Sequence, residues 1–283
     1  MPISPSSSAQ AAREAVAQRL RNLRKGAGLT VVELASRCHW HHAKTSRIEN
    51  AHTAPSAKDI RAWCLACGVE DQAKDLIAQS LHAESMYTEW RDQIRGGLKA
   101  LQEGSIQLFQ DTRLFRVYSS TLVPGLLQTE GYAAALLSGI ADFQEIPNDA
   151  AEAAAARVRR SQVINEAGHR FTLLVEEGVL HHQIGDTGAM AGQLGYLLTA
   201  GALPAVSLGV IPRATRARSM HPRETFHVYD DKLVSVELVS ARVRIVQPSE
   251  IALYLKAFNR LQQLAVYGAE ARALILKAIE ALD

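Results

Sequence analysis

The sequence predicts an α+β chain, all-α over residues 1–80 and mixed α/β over the larger stretch 105–283, with a connecting helix over 81–104. Three observations predict it. Up to residue 69, apolar residues recur three and four apart in short runs punctuated by Gly26, Gly28 and Gly68. Beyond residue 105, β-branched runs alternate with longer helical ones. Charge divides the same way: residues 1–82 hold eleven Lys/Arg against seven Asp/Glu, net +4, and the remainder 20 against 22, net −2. A basic small segment beside a mildly acidic large one implies that only the first meets a polyanion.

The bulk numbers fit two globular domains: 283 residues, 47% hydrophobic and 21% charged. Three cysteines, an odd number without a secretory signal, point to a reducing cytoplasm rather than a disulfide framework. The opening "MPISPSSSAQ" lacks the basic start and apolar run of a signal peptide, and its Pro and Ser content predicts a disordered lead-in. Residues 187–212 carry no charge and are long enough to span a membrane, but five glycines and Pro204 interrupt them. They are expected to form a buried helix, a turn and a buried strand, with no membrane partner.

In "AREAVAQRLRNLRKG", Val16, Leu20 and Leu23 form an apolar stripe among arginines, and Gly26 and Gly28 end that helix. Thr30 and Glu33 make a capping box that opens a second helix through Leu34, Ala35 and Cys38. His39 ends it at a turn that needs positive φ, a conformation histidine tolerates better than most side chains. A third helix runs from about His41 to Glu49, anchored by Trp40 and Ile48. Ser56 caps a fourth, which buries Ile60, Trp63, Leu65 or Cys64, and Cys67 before Gly68 stops it. A tight turn between the second and third helices makes a helix-turn-helix, and Ala35 is small because the third helix crosses there.

"LRNLRKGAGLTVVELA", "TSRIEN" and "APSAKDIRAWCLACGV" resemble the xenobiotic-response-element family of helix-turn-helix regulators. The resemblance implies that the third helix enters a major groove. His41, His42, Ala43, Lys44, Ser46 and Arg47 would then face bases or phosphates, with Arg47 as the candidate for a bidentate guanine contact. Arg24, Lys25, Thr30 and Asn50 would hold phosphates. It also implies an internal Arg24–Glu49 pair. Val31 stands where the family often has glutamine, so one phosphate contact is lost.

Cys38, His39, His41, His42, Cys64 and Cys67 offer zinc-ligand types, and Cys64 and Cys67 have ligand spacing. Against this, Cys64 and Cys67 fall where the fourth helix needs apolar residues and Cys38 on a core position of the second, where cysteine packs as a small hydrophobe. No metal or other cofactor is expected.

"HAESMYTEWRDQIRGGLKALQEG" has helical periodicity through Met86, Trp90 and Ile94, broken at Gly96-Gly97. In the larger segment, "IQLFQDTRLFRVYSS" reads as strand, "LVPGLLQTEGYAAALLSG" as turn and helix, and "EAAAARVRRSQVI" as a charged helix. "FTLLVEE", "AVSLGVIP", "TFHVYD" and "LVSVELV" read as strands, "GAMAGQLGYLLTAGAL" as an apolar helix, and two helices close the chain. Several of these runs together are similar to the C-terminal domain of actinobacterial WhiJ-like regulators. That resemblance implies a cytoplasmic transcriptional regulator, often beside a small partner in an antitoxin-like arrangement, and supplies no chemistry.

Glu176, Glu177 and Glu237 are the candidates for an acid/base pair, but neighbours on a strand point to opposite faces. The pair 181–182 of histidines lacks a third ligand, and no G-x-S-x-G, H-E-x-x-H, P-loop or dinucleotide fingerprint occurs. The chain is therefore not expected to be an enzyme. Arg213, Arg216, Arg218 and Arg223 read as a solvated, mobile loop, the alternative being a clamp on an acidic partner or a phosphate-bearing ligand. The expected partners are double-stranded DNA with a palindromic operator, a second copy of the chain, and a small acidic protein or small-molecule ligand. The rival readings are an antitoxin-like interaction module and an enzyme fused to a DNA-binding domain.

Overall fold

The computed structural model describes residues 5–89 and 93–282. The chain divides into two compact units, residues 1–88 with 241–244, and residues 89–240 with 245–283.

The first unit is built from five helices, α1 (Pro5–Gly26), α2 (Val31–Arg37), α3 (His42–Glu49), α4 (Ala57–Cys67) and α5 (Ala73–Met86). α1 starts inside the expected lead-in, whose first four residues lie outside the described ones. Val16, Leu20, Leu34, Ile48, Ile60, Trp63 and Leu76 close a core that excludes water from the apolar stripe of every helix. The Trp63 indole donates to the Leu20 carbonyl at 3.1 Å, so α4 is pinned to α1 by a satisfied polar group as well as by area. Cys64 takes the buried position and Leu65 is left 65% exposed, which resolves the alternative left open by spacing.

The connecting helix expected over 81–104 is not continuous. α5 ends at Met86, β1 (Tyr87–Glu89) is extended, Gln93 is helical, and α6 (Gly97–Glu103) begins at the second glycine of the expected break. Trp90 of that expectation lies outside the described residues. Gly97 has a φ of 88°, a conformation that suits glycine. The stretch expected as strand from residue 106 begins instead as helix α7 (Ile106–Asp111) before β2 (Leu114–Ser119).

In the second unit β2 lies between β3 (Arg170–Glu176) and β5 (Phe226–Tyr229), parallel to the first and antiparallel to the second. β4 (Val206–Ile211) continues the sheet parallel to β3, and β6 (Leu233–Glu237) extends it antiparallel to β5. Helices α8 (Glu130–Phe143) and α9 (Ala150–Ser161) intervene between β2 and β3, and α10 (Thr187–Ala200) between β3 and β4. Such crossovers are what parallel pairing requires. Phe115 and Phe171 stack at 4.8 Å across the β2–β3 pair inside the main core. Gly209 leaves β4 bare where the Tyr267 ring packs, since a Cβ there would sit 2.8 Å from that ring. Residues 187–212 form α10 and β4, as expected, and among the described residues no helix is long and apolar enough to cross a membrane. β7 (Ala241–Ile245), which the sequence reading did not anticipate, precedes α11 (Pro248–Gln262) and α12 (Gly268–Glu280).

Candidate nucleic-acid interface

Local chemistry fixes where α2 and α3 begin. Thr30 Oγ1 accepts the Glu33 N–H at 3.2 Å and the Glu33 carboxylate accepts the Thr30 N–H at 2.7 Å, the reciprocal box expected there. These bonds from Thr30 hold the Glu33 carboxyl below the usual carboxylate range. α2 ends at Arg37, and His39 takes a φ of 57°. The Trp40 N–H then returns to the Ala35 carbonyl at 3.0 Å, so the turn is closed by the backbone of the small residue. His41 caps α3, its Nδ1 accepting the Ala43 N–H at 3.3 Å, and its ring lies 4.1 Å from that of His42.

α3 is two-sided. Thr45, Ile48 and Glu49 are buried, while His42, Ser46 and Arg47 are exposed and Ala43 and Lys44 half-buried. Trp40 Nε1 donates to Thr45 Oγ1 at 2.9 Å, which holds the helix start against the turn. Lys25, Thr30 and His41 are exposed as well, and no side-chain partner of Arg47 or Lys25 occurs among the described residues. These seven, His41, His42, Ser46, Arg47, Lys25, Thr30 and Asn50, are the expected contacts that reach solvent.

Beyond the caps Thr30 and His41, three more of the expected contacts have intramolecular work. Arg24 is only 8% exposed, and its guanidinium donates to both Glu49 oxygens, at 2.5 and 2.9 Å, and to the Leu29 carbonyl at 2.6 Å. That removes Arg24 from the phosphate-holding set. Removing one partner of such a buried pair costs about 3–5 kcal/mol, so its place is in the scaffold. Lys44 Nζ donates to Asp59 Oδ1 at 2.7 Å and stands 4.7 Å from the Trp40 ring centroid. Asn50 ends α3 with its amide on the Ser46 carbonyl at 2.8 Å, while its oxygen accepts from Arg21 at 2.8 Å. Arg21 also donates to the Glu49 carbonyl at 2.9 Å. Arg21 and Asp59 therefore position α3. Nothing in the spacing marks them, because their partners lie 28 and 15 residues away.

The cysteines all face inward. Cys64 is buried in the core and Cys38 and Cys67 pack against it, whereas His39, His41 and His42 lie on the turn and the exposed face. Burial pushes the Cys38 and Cys67 thiols up to about 11. Among the described residues no three His, Cys, Asp or Glu side chains converge as a metal site.

In the second unit Glu176 is buried and accepts the Tyr118 hydroxyl at 2.9 Å and both Arg218 amino groups at 3.0 and 2.6 Å. The Tyr118 hydroxyl also accepts the Arg223 N–H at 3.2 Å, and burial raises its pKa. Glu177 accepts the Arg213 N–H at 2.7 Å. The loop carrying the four arginines, expected to be solvated and mobile, is thus tied to the end of β3 through its own cations and amides.

A capped pair of helices, a left-handed turn and an exposed polar and basic face on the second helix define a helix-turn-helix DNA-binding protein. Residues 15–76 match a helix-turn-helix domain, and residues 107–277 match a domain of unknown function, DUF5753. The chain belongs to the DUF5753 family. It is also similar to TrmBL2, an archaeal chromatin protein whose structure shows a novel mode of DNA binding, at 13% identity and a TM-score of 0.34, over 85% of this chain and 88% of that one. A likeness at that level carries no argument about the site. No curated protein matches the chain.

Proposed function

We propose that this protein is a sequence-specific transcriptional regulator of the xenobiotic-response-element type, acting as a dimer on a palindromic operator in the cytoplasm. The second unit, in this reading, is not an enzyme. It dimerises and holds a small-molecule ligand or a small acidic partner, as the WhiJ-like and antitoxin-like resemblance implies. The observation that carries the proposal is the exposed face of α3, with Arg47 unpartnered among the described residues and the helix braced beneath by Arg24 and Glu49. The engagement of Glu176 by Tyr118 and Arg218 supports the non-enzymatic reading, since both carboxylate oxygens are already held by hydrogen bonds within the chain.

Selection of bound duplexes from a random pool with the purified protein tests it. Arg47→Ala is expected to lose about 1–3 kcal/mol of preference at one base position. Lys25→Ala is expected to weaken all sequences alike and to reduce the salt slope by about one ion. An unselected pool at low ionic strength would overturn the proposal.

A further inference from the structure

β2, β3 and β4 run parallel, so Ser119, Glu176 and Ile211 bring three carboxyl ends to one edge of the sheet. Ligands of open α/β sheets bind outside such ends. The residues that follow the three strands meet there. His182 Nδ1 lies 3.2 Å from the Thr121 carbonyl oxygen, and His181 Nε2 lies 4.0 Å from the Glu177 carboxylate that accepts the Arg213 N–H. The Arg213 guanidinium lies over Gly178, where an added Cβ would stand 3.8 Å from Nη2.

The guanidinium of Arg213 has no ion-pair partner among the described residues, since Glu177 takes only its backbone N–H. Arg218 already neutralises Glu176, which leaves Glu177 as the carboxylate facing Arg213, with His181, His182 and the field of Lys277 beside it. The Arg213 side chain is exposed and has no hydrogen-bonding partner among the described residues. Burial, and then the charge of Arg213, hold the His181 imidazole below its ordinary pKa against the opposing pull of Glu177. A guanidinium fork beside two imidazoles suits a compact oxyanion.

We propose that the carboxyl edge of β2, β3 and β4 binds a small phosphate- or carboxylate-bearing molecule between Arg213, His181 and His182. This deepens the ligand-binding role proposed above and rests on it. Arg218 ties the loop to Glu176 and so presents Arg213 in place, while Glu177 positions its backbone. The site is built to read a charged group, and it lies wholly within the second unit.

The test uses the full-length protein and inorganic phosphate, titrated against chloride at constant ionic strength. Imidazole signals are followed by NMR and assigned with His181→Gln and His182→Gln. A saturable perturbation of both signals is expected, with a melting midpoint that rises with phosphate as binding to the folded state requires. Arg213→Gln should weaken the apparent affinity roughly tenfold or more while melting as the wild type does in chloride. Arg213→Lys should recover part of the loss, which separates charge from folding. A linear response without saturation, an equal response in Arg213→Gln, or perturbation confined to the imidazoles at 39–52 would overturn the proposal. So would binding of a hexaglutamate peptide in the absence of any phosphate effect, since that outcome assigns the edge to an acidic protein. Loss of operator selection with the phosphate response intact would sink the DNA-binding reading and leave this one standing.

Discussion

His39 shows how far a single residue can be read in advance. The turn between α2 and α3 demands positive φ, the sequence offers histidine there, and the structure gives it a φ of 57°. A side chain with a Cβ is strained in that region, and glycine is not. His39→Gly is therefore expected to raise stability by up to about 1 kcal/mol, and His39→Val to lower it, measured by urea denaturation. A glycine variant that melts earlier than the wild type would contradict the assignment of strain. Other residues were not legible at this scale. Arg24, Lys44 and Asn50 carry the chemistry of phosphate contacts, and spacing places them beside the reading helix. The family resemblance implies the Arg24–Glu49 pair, which the structure shows; what neither it nor spacing contains is that Asp59 and Arg21 stand within hydrogen-bond reach of Lys44 and Asn50.

Among the elements, those with their own terminal chemistry were legible and those without it were not. The box at Thr30 and the cap at Ser56 announce α2 and α4 because each acts within four residues, and the structure completes the second as a box with Asp59. The left-handed Gly68 closes α4 for the same local reason. By contrast, helical periodicity around Met86 did not reveal that Tyr87–Glu89 is extended, and the apolar run at Ile106–Asp111 is too short for its period to separate helix from strand. β7 went unread because Arg242 and Arg244 alternate with its buried positions and mask the apolar count.

The contact between α3 and α4 gives the pH prediction. Burial alone would raise the Asp59 carboxyl, but the Lys44 and Ser56 hydrogen bonds outweigh it and leave the pKa lowered. A lowered folded-state pKa contributes stability above the unfolded value, and that stability is lost as pH falls through the folded one. Wild type should thus lose about 0.5–1 kcal/mol more than Asp59→Asn between neutral pH and the range below the ordinary carboxylate pKa, the partly exposed Lys44 limiting the size. Urea denaturation of both proteins at two pH values measures it, and parallel losses would refute the link.

For the whole molecule, the division of charge and the division of structure coincide. The basic first unit contains α3, and the larger unit contains a mixed sheet whose three parallel strands end at the edge that carries Arg213. One helix of eight residues offers few base contacts, so the proposed palindrome, read by two copies, would supply the missing affinity and specificity. Light scattering after gel filtration is expected to give twice the 30.8 kDa of one chain, and selected half-sites should repeat at about one helical turn or a multiple of it. A single-chain mass with unpaired half-sites would leave the second unit without its assembling role. The fold class was legible at this scale because it rests on periodicity summed over many residues, whereas the edge proposed to take a ligand depends on three strand ends far apart in the chain.

Trp40 sits where its indole bonds Thr45 of α3 and lies under the Lys44 ammonium. A cation so close to an indole alters the colour and yield of its emission. Were a duplex phosphate to draw Lys44 aside, tryptophan fluorescence would change at the moment of engagement, and Trp40→Phe would silence the change. Trp40 would then serve as an intrinsic optical reporter of α3, readable without any label.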